Sequence, residues 1–302
     1  MWGQITTGAR GDMRFKGLDD LKKRGAAALA KGPIALILIE DRAEIETTLR
    51  HHLDAGFKSV LAFVPAHFRL PGDLEEMIHR VDYEPTREQA AHCDVVNTVI
   101  PLAQGQWLYY GFNAEYLFFP FCDTRNIAEL LTFHTEEKRD AMLAYVIDLY
   151  AGDLDKAQTG VDLQDCYLDG TGYYALARPD PDNHNHPKER QLDFYGGLHW
   201  RFEEHIPKTR RKIDRIALFR AKPGLELRPD HTFTDEEYNT YACPWHHNLT
   251  AAVVSFRTAK ALKRNPGSSF DIHSFKWHRS VKLDWDSRQL MDLGLMEPGQ
   301  WF

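Results

Sequence analysis

The chain has 302 residues, enough for one large α/β domain or two smaller ones with a full core that needs no disulfide bonds. Its hydrophobic fraction of 43% and charged fraction of 27% are typical of a soluble globular protein, and its net charge of −7 argues against nucleic acid as the main partner. The four cysteines are far apart and form no Cys-x-x-Cys pair, so we interpret them as reduced thiols of a cytoplasmic protein and not as a zinc site or a disulfide framework.

The first elements predict a βαβ unit. Residues 17–31 have the spacing of a short amphipathic helix, and the apolar run Pro33 to Ile39 predicts a buried parallel strand. Asp41 is the predicted N-cap of the next helix, with Glu44 completing a capping box, and residues 58–64 predict the second strand of a right-handed crossover. No apolar run in the chain is longer than the run from Pro33 to Ile39, which is far shorter than the roughly 20 residues of a membrane span. We therefore expect no transmembrane segment, while peripheral membrane contact is compatible with the sequence.

The pattern then repeats more weakly up to Tyr150. The predicted elements are a short helix at 73–80, a strand at 95–100, an aromatic buried strand at Trp107 to Phe112, and helices at 124–135 and 138–148. Alternating strands and helices favour an open, mostly parallel α/β sheet flanked by helices. Ligands of such sheets bind beyond the carboxyl ends of the strands.

The second half of the chain is richer in loops. The segment 179–188 predicts an exposed, mobile loop that acts as a lid. The other predicted elements are a loop at 151–172, a strand at 214–219, and helices at 249–262 and 289–295. We predict an N-terminal extension, an α/β domain and a helical, loop-rich C-terminal tail packed on it, at residues 1–32, 33–260 and 261–302.

Polar groups follow the buried aromatic strand at Asn113 and Glu115. Burying an amide and a carboxylate at the edge of an apolar layer is costly, so such a place is either a satisfied turn or a site. One interpretation is that they bind a metal ion or a sugar hydroxyl. The other is a turn in which the carboxylate caps backbone N–H groups.

Two further motifs have the residue types of a ligand site. Gly196 and Gly197 allow a ligand to approach the backbone closely, and the guanidinium of Arg201 is nearby in sequence. The alternative is a β-turn followed by a strand with solvated charges. His246 and His247 suit metal binding, proton transfer or phosphate binding, or else packing or capping. A metal-dependent hydrolase has the least support, because the chain has no His-Glu-x-x-His motif.

The order and spacing of these segments resemble the family-two glycosyltransferases of the GT-A fold over residues 33 to 260. IALILIEDRAEIETTLRHHLDAGFKSVLAF resembles the opening of that family, and QWLYYGFNAEYLFFP resembles the strand that carries its Asp-x-Asp-Glu-Phe-Leu motif. AMLAYVIDLYAGDL resembles its Asp-Met-Tyr stretch. The later segments FYGGLHWRF, IDRIALFRAKPGLELRPDH and CPWHHNLTAAVVSF resemble its Gly-Gly-x-Arg, Leu-Val-Arg-x-x-Pro-Gly and His-Phe segments.

The resemblance implies a sugar transferase that uses a nucleotide-sugar donor, a glycan or lipid-linked acceptor, and Mn²⁺ or Mg²⁺ on the diphosphate. Phe112 and Ala114 stand at the two metal-motif aspartates, and His199 stands at the Gly-Gly-x-Arg arginine. The alternative is therefore a catalytically inactive GT-A-like protein that binds a sugar, a nucleotide or a protein partner. The residues implied are Asp148 as the catalytic base, Glu115 and His247 as metal ligands, and Asp41, Asn113, Glu115, Gly196, Gly197, Arg201 and His247 in donor binding.

Overall fold

The computed structural model describes residues 13–87, 90–241 and 248–301. These residues form an α/β fold with a nine-stranded, mostly parallel sheet flanked by helices, which confirms the predicted open α/β class. The strands are β1 Arg14–Phe15, β2 Ile34–Leu38, β3 Ser59–Val64, β4 His79–Asp82, β5 Trp107–Phe112, β6 Glu115–Phe118, β7 Ala141–Asp148, β8 Tyr150–Ala151, β9 Cys166–Asp169, β10 Tyr174–Asp180, β11 His186–Tyr195, β12 Asp214–Arg220, β13 Ala251–Ser255 and β14 Ser280–Lys282. The helices are α1 Leu18–Arg24, α2 Ile45–Asp54, α3 Gly72–Glu75, α4 Ala91–Val99, α5 Ile127–Glu136, α6 Gly197–Arg201, α7 Arg257–Arg264, α8 Pro266–Asp271 and α9 Ser287–Asp292.

The large sheet has the strand order β1-β4-β3-β2-β5-β12-β7-β13-β6. The pairs β1–β4, β4–β3, β3–β2, β2–β5 and β7–β13 are parallel. Strand β12 is antiparallel to β5, and β6 is antiparallel to β13. Outside it, β10 and β11 form a hairpin, and β14, β9 and β8 form a three-stranded sheet.

The chain forms two compact units that alternate along the sequence. The first comprises Met1–Ala114, Arg125–Ala141 and Ala217–Asp235, and the second comprises Glu115–Thr124, Met142–Ile216 and Glu236–Phe302, each in its described residues. The division at residues 32 and 260 stays a prediction. None of the helices in the described ranges has the length and the apolar surface that crossing a bilayer requires.

The first unit contains the predicted βαβ unit. Every residue of β2 is buried, and β2 pairs in parallel with β3 after the crossover through α2. The predicted helix start was wrong, because α2 begins at Ile45 and its N-cap is Glu44 in the left-handed region with φ 52°. Asp41 is not the cap, since its Oδ1 accepts hydrogen bonds from the Ala43 N–H and the Asn113 amide instead.

Two other predictions in the first unit were wrong. Residues 95–100, predicted as a strand, belong to α4 and the 3₁₀ turn that follows it. Val95, Val96 and Val99 are all buried there, so the run shows no polar face that would reveal a helix. The helix predicted at 73–80 is the single turn α3, and β4 takes up the end of that segment.

Two predicted helices contain strands, and the second of them is helical only in its last part. Residues 138–148 contain β7, and residues 249–262 contain β13 followed by α7. Both strands are buried almost throughout, and a strand covered on both faces loses the alternation that identifies it. The lid loop predicted at 179–188 is the exposed end of the β10–β11 hairpin, with a 3₁₀ turn at Pro181–Asn183. The 151–172 segment is a loop except for the end of β8 and for β9.

The C-terminal part packs on the region after β7. Ile272 and Phe275 join Tyr150 and Leu198 in a buried hydrophobic cluster, and β14 pairs with β9. The final helix, predicted at 289–295, is α9, which starts two residues earlier. This packing fixes the surroundings of the carboxyl end of β7.

Candidate functional site

Asp148 is the last residue of β7, and its side chain is fully buried. Its Oδ2 accepts hydrogen bonds from the backbone N–H of His199 at 3.2 Å and from the ring Nδ1 of His199 at 2.8 Å. Its Oδ1 is also buried but has no hydrogen-bond partner among the described residues. Leaving a buried carboxylate oxygen unpaired is costly, so this position marks the candidate site.

The Gly196–Gly197 pair lies directly against this site. A Cβ atom at Gly197 would stand 2.7 Å from Asp148 Oδ2, and a Cβ atom at Gly196 would stand 2.2 Å from Cδ1 of Tyr173. Gly197 also has φ 62°, in the left-handed region. The glycines therefore allow a close approach of two of the protein's own side chains, while the approach of a ligand stays a prediction. The alternative of a turn followed by a strand was wrong, because α6 starts at Gly197.

The hydroxyl of Tyr173 is a second buried polar atom, on a side chain that is otherwise half-buried. Its hydroxyl has no hydrogen-bond partner among the residues that the structure describes. Burial, together with the negative charges of Asp169 and Asp148, raises the pKa of Tyr173 well above its usual value of 10. The side chain therefore stays a neutral phenol whose hydroxyl can donate a hydrogen bond.

Arg201, predicted to bind the donor, is engaged in a network at the end of β9. Its Nε and Nη2 donate to the two carboxylate oxygens of Asp169 at 2.7 and 3.1 Å, and Nη2 also donates to the Phe275 carbonyl. Asp169 accepts further hydrogen bonds from the Tyr150 hydroxyl and the Trp277 indole. The charge of Arg201 is thus neutralised by a buried carboxylate.

Glu115 forms a buried ion pair with Arg215, which lies on another strand of the same unit. Arg215 on β12 donates through both Nη atoms to the two Glu115 oxygens at 2.7 and 3.0 Å, and Ser255 donates to Oε1 at 3.0 Å. Glu115 is 0% and Arg215 4% exposed in their side chains. Ser255 is in register with Glu115 on one side and with Asp148 on the other. Glu115, Ser255 and Asp148 therefore form a polar row across β6, β13 and β7.

In the first unit, Asn113 holds the loop after β2 against the end of β5. Its Oδ1 accepts from the Glu40 N–H at 2.8 Å, and its Nδ2 donates to Asp41 Oδ1 at 2.7 Å and to the Ala43 carbonyl at 2.8 Å. Asn113 is fully buried. The two predicted donor-binding residues Asp41 and Asn113 therefore contact each other, in the arrangement expected of a satisfied turn.

The described residues do not fit a divalent cation. Among them no group of three or more His, Cys, Asp or Glu side chains is arranged to hold a metal ion. Both carboxylate oxygens of Glu115 already accept hydrogen bonds from the Arg215 guanidinium. A metal ion bound to the same oxygens would lie close to that positive charge. The other predicted ligand, His247, lies outside the described residues. Metal binding by Glu115 and His247 stays a prediction.

Sequence reasoning did not select Tyr173 or Arg215. The position of Arg215 within the apolar run DRIALF did indicate a buried ion pair, because a buried arginine needs a partner for its charge. The partner itself is 100 residues away, at Glu115. Tyr173 carried no local signal, because its burial depends on the position of Gly196.

Comparison with known proteins does not identify the family. No protein-family model matches the chain, and no curated protein matches its sequence. A functional conclusion therefore has to come from the contacts around Asp148.

Proposed function

We propose that the chain is a glycosyltransferase-like protein that transfers a sugar from a nucleotide-sugar donor to an acceptor hydroxyl. The observation that carries the proposal is the buried, unpaired Oδ1 of Asp148 at the carboxyl end of a parallel strand. Ligands of open α/β sheets bind at that edge. The resemblance to family-two glycosyltransferases implies a base at the same residue, which supports the proposal.

The geometry suits Asp148 to accept a proton. His199 donates twice to Oδ2 and holds the carboxylate in place, which leaves Oδ1 to accept the proton of an acceptor hydroxyl. The hydroxyl oxygen then attacks the anomeric carbon, the bond from that carbon to the donor diphosphate breaks, and the diphosphate leaves with the electron pair. No step is assigned to a metal ion, because the described donor set does not fit one.

The predicted donor-binding residues enter the proposal with different roles. Gly196 and Gly197 allow Asp148 and Tyr173 to approach the backbone, and Arg201 positions Asp169 and the chain around Phe275. Asp41 and Asn113 shape the turn after β2. Binding of the diphosphate by any of them, or by His247, stays a prediction.

A second candidate is a catalytically inactive GT-A-like protein that binds a sugar, a nucleotide or a protein partner. The ion pair of Glu115 favours it, because the one acidic residue of the resembled metal motif is neutralised by Arg215. Phe112 and Ala114 replace the other two acidic residues.

A thermal-shift panel of nucleoside diphosphates and nucleotide sugars, with and without Mn²⁺, tests donor binding. Release of nucleoside diphosphate from the same sugars, with a panel of glycan acceptors, tests transfer. We expect a shift in the wild type and in Asp148→Asn, but a release rate about 10² to 10⁴ times lower in the variant. Asp292→Asn, which changes an exposed carboxylate on α9, is the matched control.

The outcomes separate the two candidates. A shift without release in the wild type supports the inactive binding protein that recognises a nucleotide. The absence of any shift at saturating ligand, together with no release, overturns the transferase proposal. Equal release by Asp148→Asn and the wild type would leave transfer intact but remove Asp148 as the base.

A further inference from the structure

The hairpin of β10 and β11 has an unpaired edge in the described part of the chain. Among the described strands, β10 pairs with β11 alone. The first four residues of β10, Tyr174 to Ala177, are all exposed, and none of them is charged. The large side chains among them are Tyr174, which is 44% exposed, and Leu176, which is 54% exposed. An exposed apolar strand edge is a surface on which another strand can pair.

The hydrogen bonds of β11 show which backbone groups of β10 face this edge. Phe194 lies opposite Ala175 in the hairpin register. The Phe194 N–H donates to Asp214 at 2.8 Å and its carbonyl accepts from the Ile213 N–H at 2.9 Å, so both groups point away from β10. Residues opposite each other in an antiparallel ladder either exchange both hydrogen bonds or turn their backbone groups apart. The N–H and C=O of Ala175, and by alternation those of Ala177, therefore face the unpaired edge.

The far end of β10 is protected against pairing. The ladder has an irregularity between Ala177 and Pro179, and Pro179 has no N–H to donate. The guanidinium of Arg178 donates to Asp193 at 2.7 Å and to Asp214 at 3.0 Å, so its charge is neutralised within its own chain. Bulges, prolines and charges are the features that block pairing at strand edges. They leave only the first four residues of β10 open.

A second copy of the chain is complementary to this short edge. Two antiparallel copies related by a two-fold axis can pair Ala175 of each with Ala177 of the other, and all the outward N–H and C=O groups of both alanines are then used. In this register Leu176 lies opposite Leu176 of the second copy, in a non-hydrogen-bonded pair. Tyr174 lies opposite Arg178 of the second copy. Apolar residues therefore face each other at the axis, and no like charges are opposed.

The other edge of the hairpin faces its own chain. The Phe194 carbonyl accepts from Ile213, and the Arg190 carbonyl accepts from the Tyr241 N–H at 2.7 Å. Pairing through β10 therefore leads to a closed pair of two chains and not to an open fibre.

We propose that two copies of the chain associate through β10, so that their hairpins form one antiparallel sheet in the order β11-β10-β10-β11 with Leu176 at the two-fold axis. The contact is small, and the expected dissociation constant is on the order of 10–100 µM. The association requires neither the donor nor the acceptor of the proposed transferase.

Sedimentation velocity over about 5 to 500 µM protein tests the association. The wild type should shift from monomer to dimer across this range. Leu176→Lys should weaken the dimer at least about tenfold, because two ammonium groups would face each other at the axis. Phe270→Lys introduces the same charge at a side chain that is 82% exposed on α8, and it should associate as the wild type does.

Cysteine cross-linking tests the register. Under mild oxidation Leu176→Cys should form a disulfide-linked dimer, because the Cα atoms of a non-hydrogen-bonded pair are about 4.5 Å apart. Ala175→Cys is the matched control, since the two copies of residue 175 are more than about 7 Å apart in this register, beyond the reach of a disulfide. The wild type reports any cross-link that its own cysteines form.

Three results would overturn the proposal. One is a wild type that stays monomeric over the whole concentration range, which would leave the edge to a strand of another protein. Another is equal association of Leu176→Lys and the wild type. The third is a cross-link in Ala175→Cys as strong as the one in Leu176→Cys, which the two-fold register does not allow.

Discussion

The ion pair between Glu115 and Arg215 should be one of the most sensitive points in the second unit. Glu115→Gln keeps the shape of the side chain and removes its charge, which leaves the Arg215 guanidinium 4% exposed and without that counter-charge. Removing one partner of a buried ion pair costs about 3–5 kcal/mol in stability. Because glutamine keeps an oxygen that can still accept a hydrogen bond from Arg215, we expect a cost near the lower end of this range. We therefore expect a loss of about 3 kcal/mol in the free energy of unfolding.

Urea unfolding, followed by circular dichroism and tryptophan fluorescence, measures this loss. Asp140→Asn is the matched control, because Asp140 pairs with Arg220 on the same strand at 3.7 Å and is 49% exposed. An exposed pair of this kind contributes about 0–1 kcal/mol. The double variant Glu115→Gln with Arg215→Met should be less destabilised than the sum of the two single variants, since it leaves no unpaired charge.

Two results would refute this reasoning. One is a loss in Glu115→Gln no larger than the loss in Asp140→Asn. The other is strict additivity in the double variant, which would mean that the two side chains do not depend on each other. Either result would also reopen Glu115 as a ligand for a cation, because its carboxylate would then be available at little cost.

Two further predictions concern a buried histidine and the glycine pair. Burial lowers the pKa of His134 to about 4, while its Nε2 bonds the Ala141 carbonyl at 2.9 Å. The imidazole is therefore protonated near pH 6.5 in the unfolded chain and only near pH 4 in the folded chain, so the free energy of unfolding should fall by up to about 3 kcal/mol as the pH falls between these values. In urea unfolding at several pH values, His134→Gln should show a smaller dependence on pH. An equal dependence in the variant and the wild type would contradict the role of His134. Gly197→Ala should destabilise the protein by about 1–3 kcal/mol more than Gly224→Ala in thermal unfolding. Both glycines have positive φ, but a Cβ atom would collide with Asp148 only at Gly197. Equal losses would show that the close contact with Asp148 is relieved without cost.

The structure changes how the end of the aromatic strand is understood. The amide and carboxylate that follow β5 were predicted to act together, either as a turn or as a ligand site. Asn113 belongs to the first unit and holds the loop after β2, while Glu115 belongs to the second and is paired with Arg215. The residue at the centre of the candidate site is instead Asp148, on β7.

The prediction of strands and helices succeeded where the sequence contained both a pattern and a boundary. Strand β2 is a continuous apolar run between Gly32 and a polar loop, and α5 starts at a full capping box on Asn126. It failed at α4, β7 and β13, where nearly every residue is buried. A segment covered on all sides shows neither period 2 nor period 3.6, so its length and neighbours decide its structure.

By itself, the sequence determined the open α/β class, the βαβ unit at its start, and the presence of polar residues where buried strands end. Asp148 was selected because it follows an apolar segment and matches the Asp of the resembled Asp-Met-Tyr stretch. Only the tertiary structure decided which groups surround it. His199 is 51 residues from Asp148 and Arg215 is 100 residues from Glu115. Hydrogen bonds between such distant residues form only once the strands are paired, so no local pattern encodes them, and the unpaired oxygen that defines the candidate site appears only in the folded chain.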